Sequence, residues 1–215
     1  DESFKLRNSK NFDYVTIQQP ENLKLSKLYI FKLKKFKEYQ IRDFQILGGH
    51  IFSLLSFYKE NKVILYPDGV ISSKISFINS ITELMTGFSL ASYRFDKYKK
   101  KNKDKDKNKK NNKSTKSPKF KVSSSSHTRL EKNYINVKAI SEGVTLTRNL
   151  VTEPPNVMTP PEIAKNAASL KDYGVKVTIL GEKEMTKLGM GSLLSVGRGS
   201  EHESKLAIME WKGHK

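Results

Sequence analysis

The sequence has 215 residues, no cysteine and a formal net charge of +18 at pH 7, which is enough chain for one or two domains. The absence of cysteine excludes a disulfide framework, a thiolate metal site and a cysteine nucleophile. No stretch approaches the roughly 18 apolar residues of a membrane span, and the first residues lack the apolar core of a signal peptide, so we expect no membrane partner. The absence of cysteine fits a reducing compartment, and we expect a cytoplasmic protein.

The first part of the chain alternates between strand and helix patterns. Residues 1–20 alternate weakly and predict short β structure, and Leu28 to Leu33 is rich in β-forming residues. Ile41 to Tyr58 places its apolar residues along a wide helical stripe. The Gly48-Gly49 pair inside this helix predicts close packing against a neighbouring element, since each glycine otherwise destabilises a helix by roughly 1 kcal/mol relative to Ala.

The pattern then repeats. Lys62 to Gly69 predicts a short buried strand that runs into a turn, and Val70 to Phe77 is either an edge strand or a loop. A second amphipathic helix is predicted from Ile81, ending in a basic turn that complements the helix dipole. Strands alternating with helices indicate a small α/β domain.

A lysine-rich tract follows. Lys99 to Lys121 contains twelve lysines and two aspartates, or +10 of the +18, and continues into a run of serines. This composition cannot bury enough apolar area to fold, so we expect a disordered or exposed insertion. The alternative is an arm that grips polyanions, but with no aromatic residue before Phe120 it lacks the base-stacking groups of a single-strand binder.

The last third has well-marked helix boundaries. A helix with an apolar stripe is predicted to stop before Pro154, because proline disfavours helical geometry in the residue before it. The stripe consists of Val144, Leu146, Leu150 and Val151. Thr159, Pro160 and Glu162 together predict a capping box with proline at the first helical position. This second helix is expected to run to about Tyr173 and to end on Gly174.

Two strands flank a third helix. Val175 to Ile179 alternates as a strand does. A helix carrying Met185 and Leu188 follows and can end at Gly189. Lys205 to Trp211 is predicted to be a strand with few polar positions, as in a sheet covered on both faces. Strand, helix and strand in this order predict a right-handed crossover and a parallel pair. An α/β domain therefore begins in this region.

The same segments resemble a known family. NLVTEPPNVMTPPEIA and then VTILGEKEMTKLGMGSLLSVGRGSEHESKLAIMEWKG closely resemble the start of the catalytic domain of the leucyl (cytosol) aminopeptidases. The earlier Leu-Gly-Gly helix, the strand ending in Tyr-Pro and GFSLASYRFDKYK resemble the family's N-terminal domain. There are two departures: Phe31 to Lys35 replaces a glycine-rich turn, and about half of that domain's opening strands are absent before Asp1.

The resemblance implies an α/β fold in three parts. Residues 1–98 are expected to form a small N-terminal mixed-sheet (macro-like) domain, incomplete at its start. Residues 99–133 are expected to be a disordered Lys/Asn/Ser-rich insertion or linker. Residues 134–215 are expected to be a connecting helix and the truncated start of the catalytic domain, with its first helices and parallel strands.

The resemblance also implies an activity. Members are two-metal exopeptidases that use Mn or Zn to release N-terminal residues from peptides, and they form hexameric homo-oligomers. In the family, the metal ligands and the catalytic Lys and Arg follow the Glu-Trp-Lys-Gly strand. We therefore expect these residues to lie beyond Lys215, outside this sequence. We therefore predict no catalytic, cofactor-binding or metal-binding residue, no metal bound to this chain, and no activity by this chain alone.

A direct search of the residues gives the same prediction. The four histidines, which form no HExxH motif, are His50, His127, His202 and His214. On its apolar stripe, His50 is interpreted as an interior residue. Glu201, His202 and Glu203 could hold a cation, but adjacent residues in a Gly/Ser turn are interpreted as a solvated loop. Unexpected metal-dependent turnover would direct the search to these three residues and Glu210.

Glycine and serine runs give no site either. Gly189-Met190-Gly191 and Gly197-Arg198-Gly199 fit neither GxGxxG nor a P-loop and are interpreted as turn glycines. Ser123 to Ser126 beside His127 is not a triad, because a nucleophile needs a rigid setting and an orienting acid.

Three functions stay open. The chain is part of a leucyl aminopeptidase, a non-catalytic oligomerisation or interaction module, or a basic nucleic-acid-binding protein that uses the lysine-rich tract, which the charge distribution disfavours. An α/β domain cut after its second strand leaves an edge and an apolar face uncovered. Residues 141–215 are therefore predicted to be marginally stable or aggregation-prone unless something covers that face.

Overall fold

The computed structural model describes residues 7–8, 12–33, 38–70, 74–99 and 118–213. The chain divides into two compact units, residues 1–145 and 146–215. In chain order the elements are β1 Arg7–Asn8, β2 Phe12–Gln18, β3 Lys27–Leu33, α1 Ile41–Phe57, β4 Lys62–Leu65, α2 Phe77–Ala91, β5 Lys119–Val122, α3 His127–Thr152, α4 Pro160–Ala168, a 3-10 helix Ser169–Tyr173, β6 Lys176–Leu180, α5 Glu182–Lys187, α6 Gly191–Gly197 and β7 Leu206–Glu210. The predicted α/β class is confirmed.

Among the residues that the structure describes, the first unit contains two sheets. One has the order β1-β2-β3 and is antiparallel, with Phe12 opposite Leu33 and Gln18 opposite Lys27. The other is a parallel pair, β4 and β5, with Lys62 opposite Lys119. The predicted strand at Lys62 is therefore present, but it is not buried on both faces, because its alternate residues are exposed.

The helices α1 and α2 pack against each other and supply most of the core of this unit. The Asp43 carboxylate accepts a hydrogen bond from the Gln40 N–H (2.9 Å) at the start of α1, and Ser76 Oγ accepts one from the Asn79 N–H (3.3 Å) at the start of α2. The second helix begins before the predicted Ile81 because Ser76 caps it. It ends at Ala91, so the predicted basic last turn is wrong.

The end of the lysine-rich tract has a definite structure. Residues 100–117, where disorder is expected, lie outside the described residues. Lys119–Val122 is nevertheless a strand, and α3 begins at His127. The expectation of disorder is wrong at this end, since Phe120 alternates with exposed lysines and stacks on Phe88 of the core with ring centroids 4.3 Å apart.

The long helix α3 ends at Thr152, before Pro154 as predicted. Near its start, the Asn133 side-chain amide donates hydrogen bonds to Asn79 Oδ1 (3.1 Å) and Thr82 Oγ1 (3.0 Å) of α2. Its predicted apolar stripe is only partly covered: Val144 and Leu150 are half-buried, whereas Leu146 and Val151 are exposed, Val151 by 81%. Across the described ranges, no helix combines the length and apolarity needed to cross a bilayer.

In the second unit, α4 begins with Thr159 as the cap and Pro160 at the first position, as predicted. Within the described residues the Thr159 side chain makes no capping hydrogen bond, so the predicted capping box does not form. The helix tightens into 3-10 geometry over its last turn and ends on Gly174, whose φ is 83°. The buried apolar residues of this unit, among those described, are Ala164, Ala167, Val177 and Met185.

The strands β6 and β7 are antiparallel, with Lys176 opposite Glu210 and Leu180 opposite Leu206. The predicted parallel pair and crossover are therefore wrong for these strands. Two short helices, α5 and α6, join them in place of one crossover helix, and they return the chain to the edge at which it left β6. The sequence predicts a glycine-rich turn over these residues, whereas Gly191–Gly197 form the helix α6.

Candidate functional site

Glu201, His202 and Glu203, which the sequence predicts to be a solvated loop, lie in the connection between β6 and β7. Glu203 Oε1 accepts a hydrogen bond from the Glu182 N–H (3.2 Å), and Glu182 Oε1 accepts one from the Ser204 N–H (2.8 Å). These bonds join the start of α5 to the residues that enter β7. At the same helix end, Glu184 accepts a hydrogen bond from the Gly181 N–H (2.9 Å).

The Glu203 carboxylate also pairs with Lys205, whose Nζ lies 2.6 Å from Oε2. The hydrogen bond from Lys205, followed by that from the Glu182 backbone, lowers the pKa of Glu203 below its usual value. Both oxygens of Glu203 are therefore occupied by donors of the chain itself. The bonds to the Glu182 backbone and to Lys205 hold the loop before β7 in place. Glu203 is therefore a structural residue.

The other residues considered for a cation do not converge. Glu201 and His202 are exposed, and Glu210 pairs with Lys176 of the neighbouring strand (2.9 Å). Among the described residues, no group of three or more His, Cys, Asp and Glu side chains is placed to hold a metal ion. The donor set therefore does not fit a two-metal centre, which requires several carboxylates around one point.

The histidines are dispersed in the same way. His50 is exposed on α1, so its interpretation as an interior residue is wrong. The apolar stripe of α1 is wide, and His50 lies at its solvent side. His127 is exposed at the start of α3, and His214 lies outside the described residues.

The serines beside His127 form a turn that Asp68 holds. The Asp68 carboxylate accepts hydrogen bonds from Ser124 Oγ (2.6 Å) and from the Ser125 N–H (3.2 Å). The hydrogen bond from Ser124 is the larger cause of the lowered pKa of Asp68. Ser124 therefore bonds directly to a carboxylate, whereas a serine nucleophile needs a base between the two.

The two glycine groups bracket α6. Gly189 follows α5 with a φ of 72°, Gly191 is the first residue of α6, and Gly197 is its last. A side chain at Gly197 would overlap the Ser204 hydroxyl. These glycines therefore serve turns and close contacts within the connection.

Comparison with known proteins shows which family this region is similar to. The profile of the cytosol aminopeptidase family, catalytic domain, matches residues 145–215. A probable cytosol aminopeptidase of Rhizobium etli is 35% identical over 207 residues, which cover 96% of this chain and 40% of the relative. One from Caulobacter vibrioides is 42% identical over 130 residues, or 59% of this chain and 24% of the relative. The chain thus spans about two fifths of the first of these curated relatives.

Solved structures share the fold. The bottromycin maturation enzyme BotP in complex with Mn superposes with a TM-score of 0.70 at 18% identity, covering 93% of this chain and 39% of that one. A mutant of tomato leucine aminopeptidase gives a TM-score of 0.63 at 20% identity, over 78% of this chain and 32% of that one. The predicted resemblance is confirmed: the chain is related to the leucyl (cytosol) aminopeptidases over most of its length, and residues 145–215 match part of their catalytic domain.

Proposed function

We propose that this chain supplies the N-terminal domain and the beginning of the catalytic domain of a leucyl aminopeptidase, an exopeptidase that releases N-terminal residues from peptides. The observation that carries the proposal is the match of the catalytic-domain profile to residues 145–215. Similarity to the Rhizobium etli relative over 96% of the chain extends it to the first unit.

The proposed enzyme depends on divalent metal, with two Mn or Zn ions as the family resemblance implies. When bound, such ions polarise the scissile carbonyl and activate a hydroxide. The described residues of this chain do not fit that role, because Glu203 and Glu210 are already paired with lysines. We propose no metal-binding or catalytic residue here and no hydrolysis by these 215 residues alone.

Two assays test these statements separately. The chain as it stands, with added manganese, is expected to leave leucine amide unhydrolysed. A chimera in which the chain replaces the matching segment of the Rhizobium etli relative is expected to hydrolyse it, whereas that relative without the segment is not. Turnover by the chain alone, surviving removal of host peptidases, would overturn the site assignment. An inactive but folded chimera would overturn the proposed function.

A cytoplasmic location and homo-oligomeric assembly, hexameric as in the family, belong to the same proposal. Exposed apolar side chains in the second unit support assembly, because Val196 is 86% exposed and Trp211 is 66% exposed. The same exposure favours the second candidate, a non-catalytic interaction module. Light scattering on the purified chain shows whether it assembles, as both candidates require, or is a monomer. An inactive chimera that still assembles would favour the interaction module.

A further inference from the structure

The outer face of the β4–β5 pair is strongly basic. Both strands alternate exposed and half-buried residues, and the exposed positions are Lys62 and Ile64 on β4 with Lys119 and Lys121 on β5. Lys62 lies directly opposite Lys119, and Ile64 lies opposite Lys121. Residues opposite each other point to the same side of a sheet, so one surface, here called the lysine face, carries three ammonium groups.

No acidic group neutralises the lysine face among the residues that the structure describes, since none of its three lysines takes part in an ion pair there. The acidic residues that flank β4 in sequence are engaged elsewhere. Glu60 pairs with Lys27 at 2.7 Å, and Asp68 accepts the hydrogen bond from Ser124. Like charges directly opposite on a sheet repel each other, so an external anion would relieve a repulsion that the fold leaves in place.

The spacing of the charges suits a chain of anions. Neighbouring strands lie about 4.8 Å apart, and alternate residues of one strand lie about 6.6 Å apart. Lys62 therefore lies beside Lys119 across the pair, and Lys121 lies further along β5, so the three charges are close enough for one flexible polymer of anions to contact all of them.

An aromatic side chain completes the surface. Tyr66 follows β4 in the same alternation and is 68% exposed, and Ile64 beside it is 50% exposed. Phe120 is excluded from this role because it stacks on Phe88 on the opposite face of the pair. Proteins that bind single strands combine cationic groups on the backbone with aromatic rings on which bases stack.

We propose that the lysine face, with Tyr66 at its end, binds single-stranded nucleic acid: the three lysines contact successive phosphates and Tyr66 stacks on a base. This activity is separate from the proposed peptidase role, and it uses described residues of the first unit. The proposed binding does not require residues 100–117, which precede β5 in the sequence.

The test is fluorescence anisotropy of a labelled oligothymidine with the full chain over a range of KCl concentrations. Each phosphate contact to a single strand contributes about −0.7 to the slope of log K against log salt. The variant with Lys62→Gln, Lys119→Gln and Lys121→Gln is expected to reduce the magnitude of that slope by about 2. The matched control carries Lys171→Gln, Lys187→Gln and Lys212→Gln, three exposed lysines of the second unit, and is expected to keep the slope.

Tyr66→Ala is expected to weaken binding at least about fivefold without changing the slope, and Tyr66→Phe to restore it, as stacking on one base predicts. An equal loss of slope in the control would show a net-charge effect and overturn the proposal. So would a full slope in the lysine variant combined with lost binding after deletion of residues 100–117. Equal affinity for polyglutamate, insensitive to Tyr66→Ala, would identify an acidic protein as the partner instead.

Discussion

Gly48 of α1 lies against the carbonyl oxygen of Leu84 in α2, and a Cβ at position 48 would overlap that oxygen. The relationship is reciprocal, because a Cβ at Gly87 of α2 would overlap the backbone of Gln45 in α1. The two helix backbones therefore touch where each has a glycine. The predicted close packing is confirmed for Gly48, whereas at Gly49 the nearest outside atom, Ala91 Cβ, would lie at an ordinary 3.8 Å.

Replacing Gly48 by Ala is expected to destabilise the first unit by about 1–3 kcal/mol, since the helices must separate to admit the methyl group. Differential scanning calorimetry of the full chain measures the change. Gly49→Ala is the matched control in the same turn and is expected to be neutral or to stabilise by up to about 1 kcal/mol. Equal destabilisation by both substitutions would contradict the helix contact.

The pairing of Glu203 makes the stability of the second unit depend on pH. Its lowered pKa means that the contribution is present above the ordinary glutamate value of 4.5 and is lost as the pH falls through the lowered value. Glu203→Gln is therefore expected to lower the unfolding midpoint at about pH 7 and to have a smaller effect at an acidic pH below 4.5.

Fluorescence of Trp211, the single tryptophan, reports this transition. Glu201→Gln, at an exposed neighbour, serves as the control and is expected to leave the midpoint unchanged at both pH values. A difference between Glu203→Gln and the original chain that persists unchanged at low pH would show that the ion pair is not its source.

The strand that follows the lysine-rich tract is expected to be required for the stability of the first unit. Phe120→Ala removes the stacking on Phe88 (4.3 Å between centroids) and should destabilise by about 2–3 kcal/mol, somewhat less than a fully buried phenylalanine. Urea unfolding followed by near-ultraviolet circular dichroism measures it. Lys121→Ala, next to it on the exposed face, should change stability by less than about 0.5 kcal/mol, and a larger effect there would refute the assigned orientation of β5.

Gly174 is expected to resist substitution for a conformational reason. Its φ of 83° is left-handed, and a Cβ there would lie 3.4 Å from the Trp211 ring. Gly174→Ala should destabilise the second unit by about 1–2 kcal/mol, and Gly174→Asn by less, because Asn tolerates this conformation. Trp211 fluorescence provides the readout, and an Ala variant as stable as the Asn variant would be inconsistent with the left-handed cap.

Features with a local cause could be predicted from the sequence. Pro154 stops α3, Gly174 ends the 3-10 turn, and the pattern from Ile41 gives α1, because each signal depends on neighbouring residues alone. The resemblance to the aminopeptidases could be recognised for a similar reason, since it rests on ordered turn residues. Contacts between distant segments set the remaining features.

The strand β5 illustrates this limit. Its two apolar residues, Phe120 and Val122, lie among lysines in the sequence. They form a strand because β4 pairs with them and Phe88 stacks on Phe120. The direction of β7 depends on α5 and α6, whose short patterns resemble a turn. The sequence does not indicate Asp68 as a partner of Ser124, because 56 positions separate the two residues. The sequence places Glu203 in a loop, but its hydrogen bonds with Lys205 and the Glu182 backbone form only when that loop is folded.

The antiparallel pairing of Leu180 with Leu206 makes residues 181–205 an exchangeable module. Both ends of this connection lie side by side, so a short hairpin turn could join β6 directly to β7 without changing the register of the strands. The bonds of Glu182 and Glu203 lie inside or at the end of the module, and they would be removed together with α5 and α6. Protein engineers could therefore vary the length and sequence of this excursion while keeping the two strands as a fixed frame, provided that the replacement fills the place of Met185 of α5, which is buried in the core of this unit.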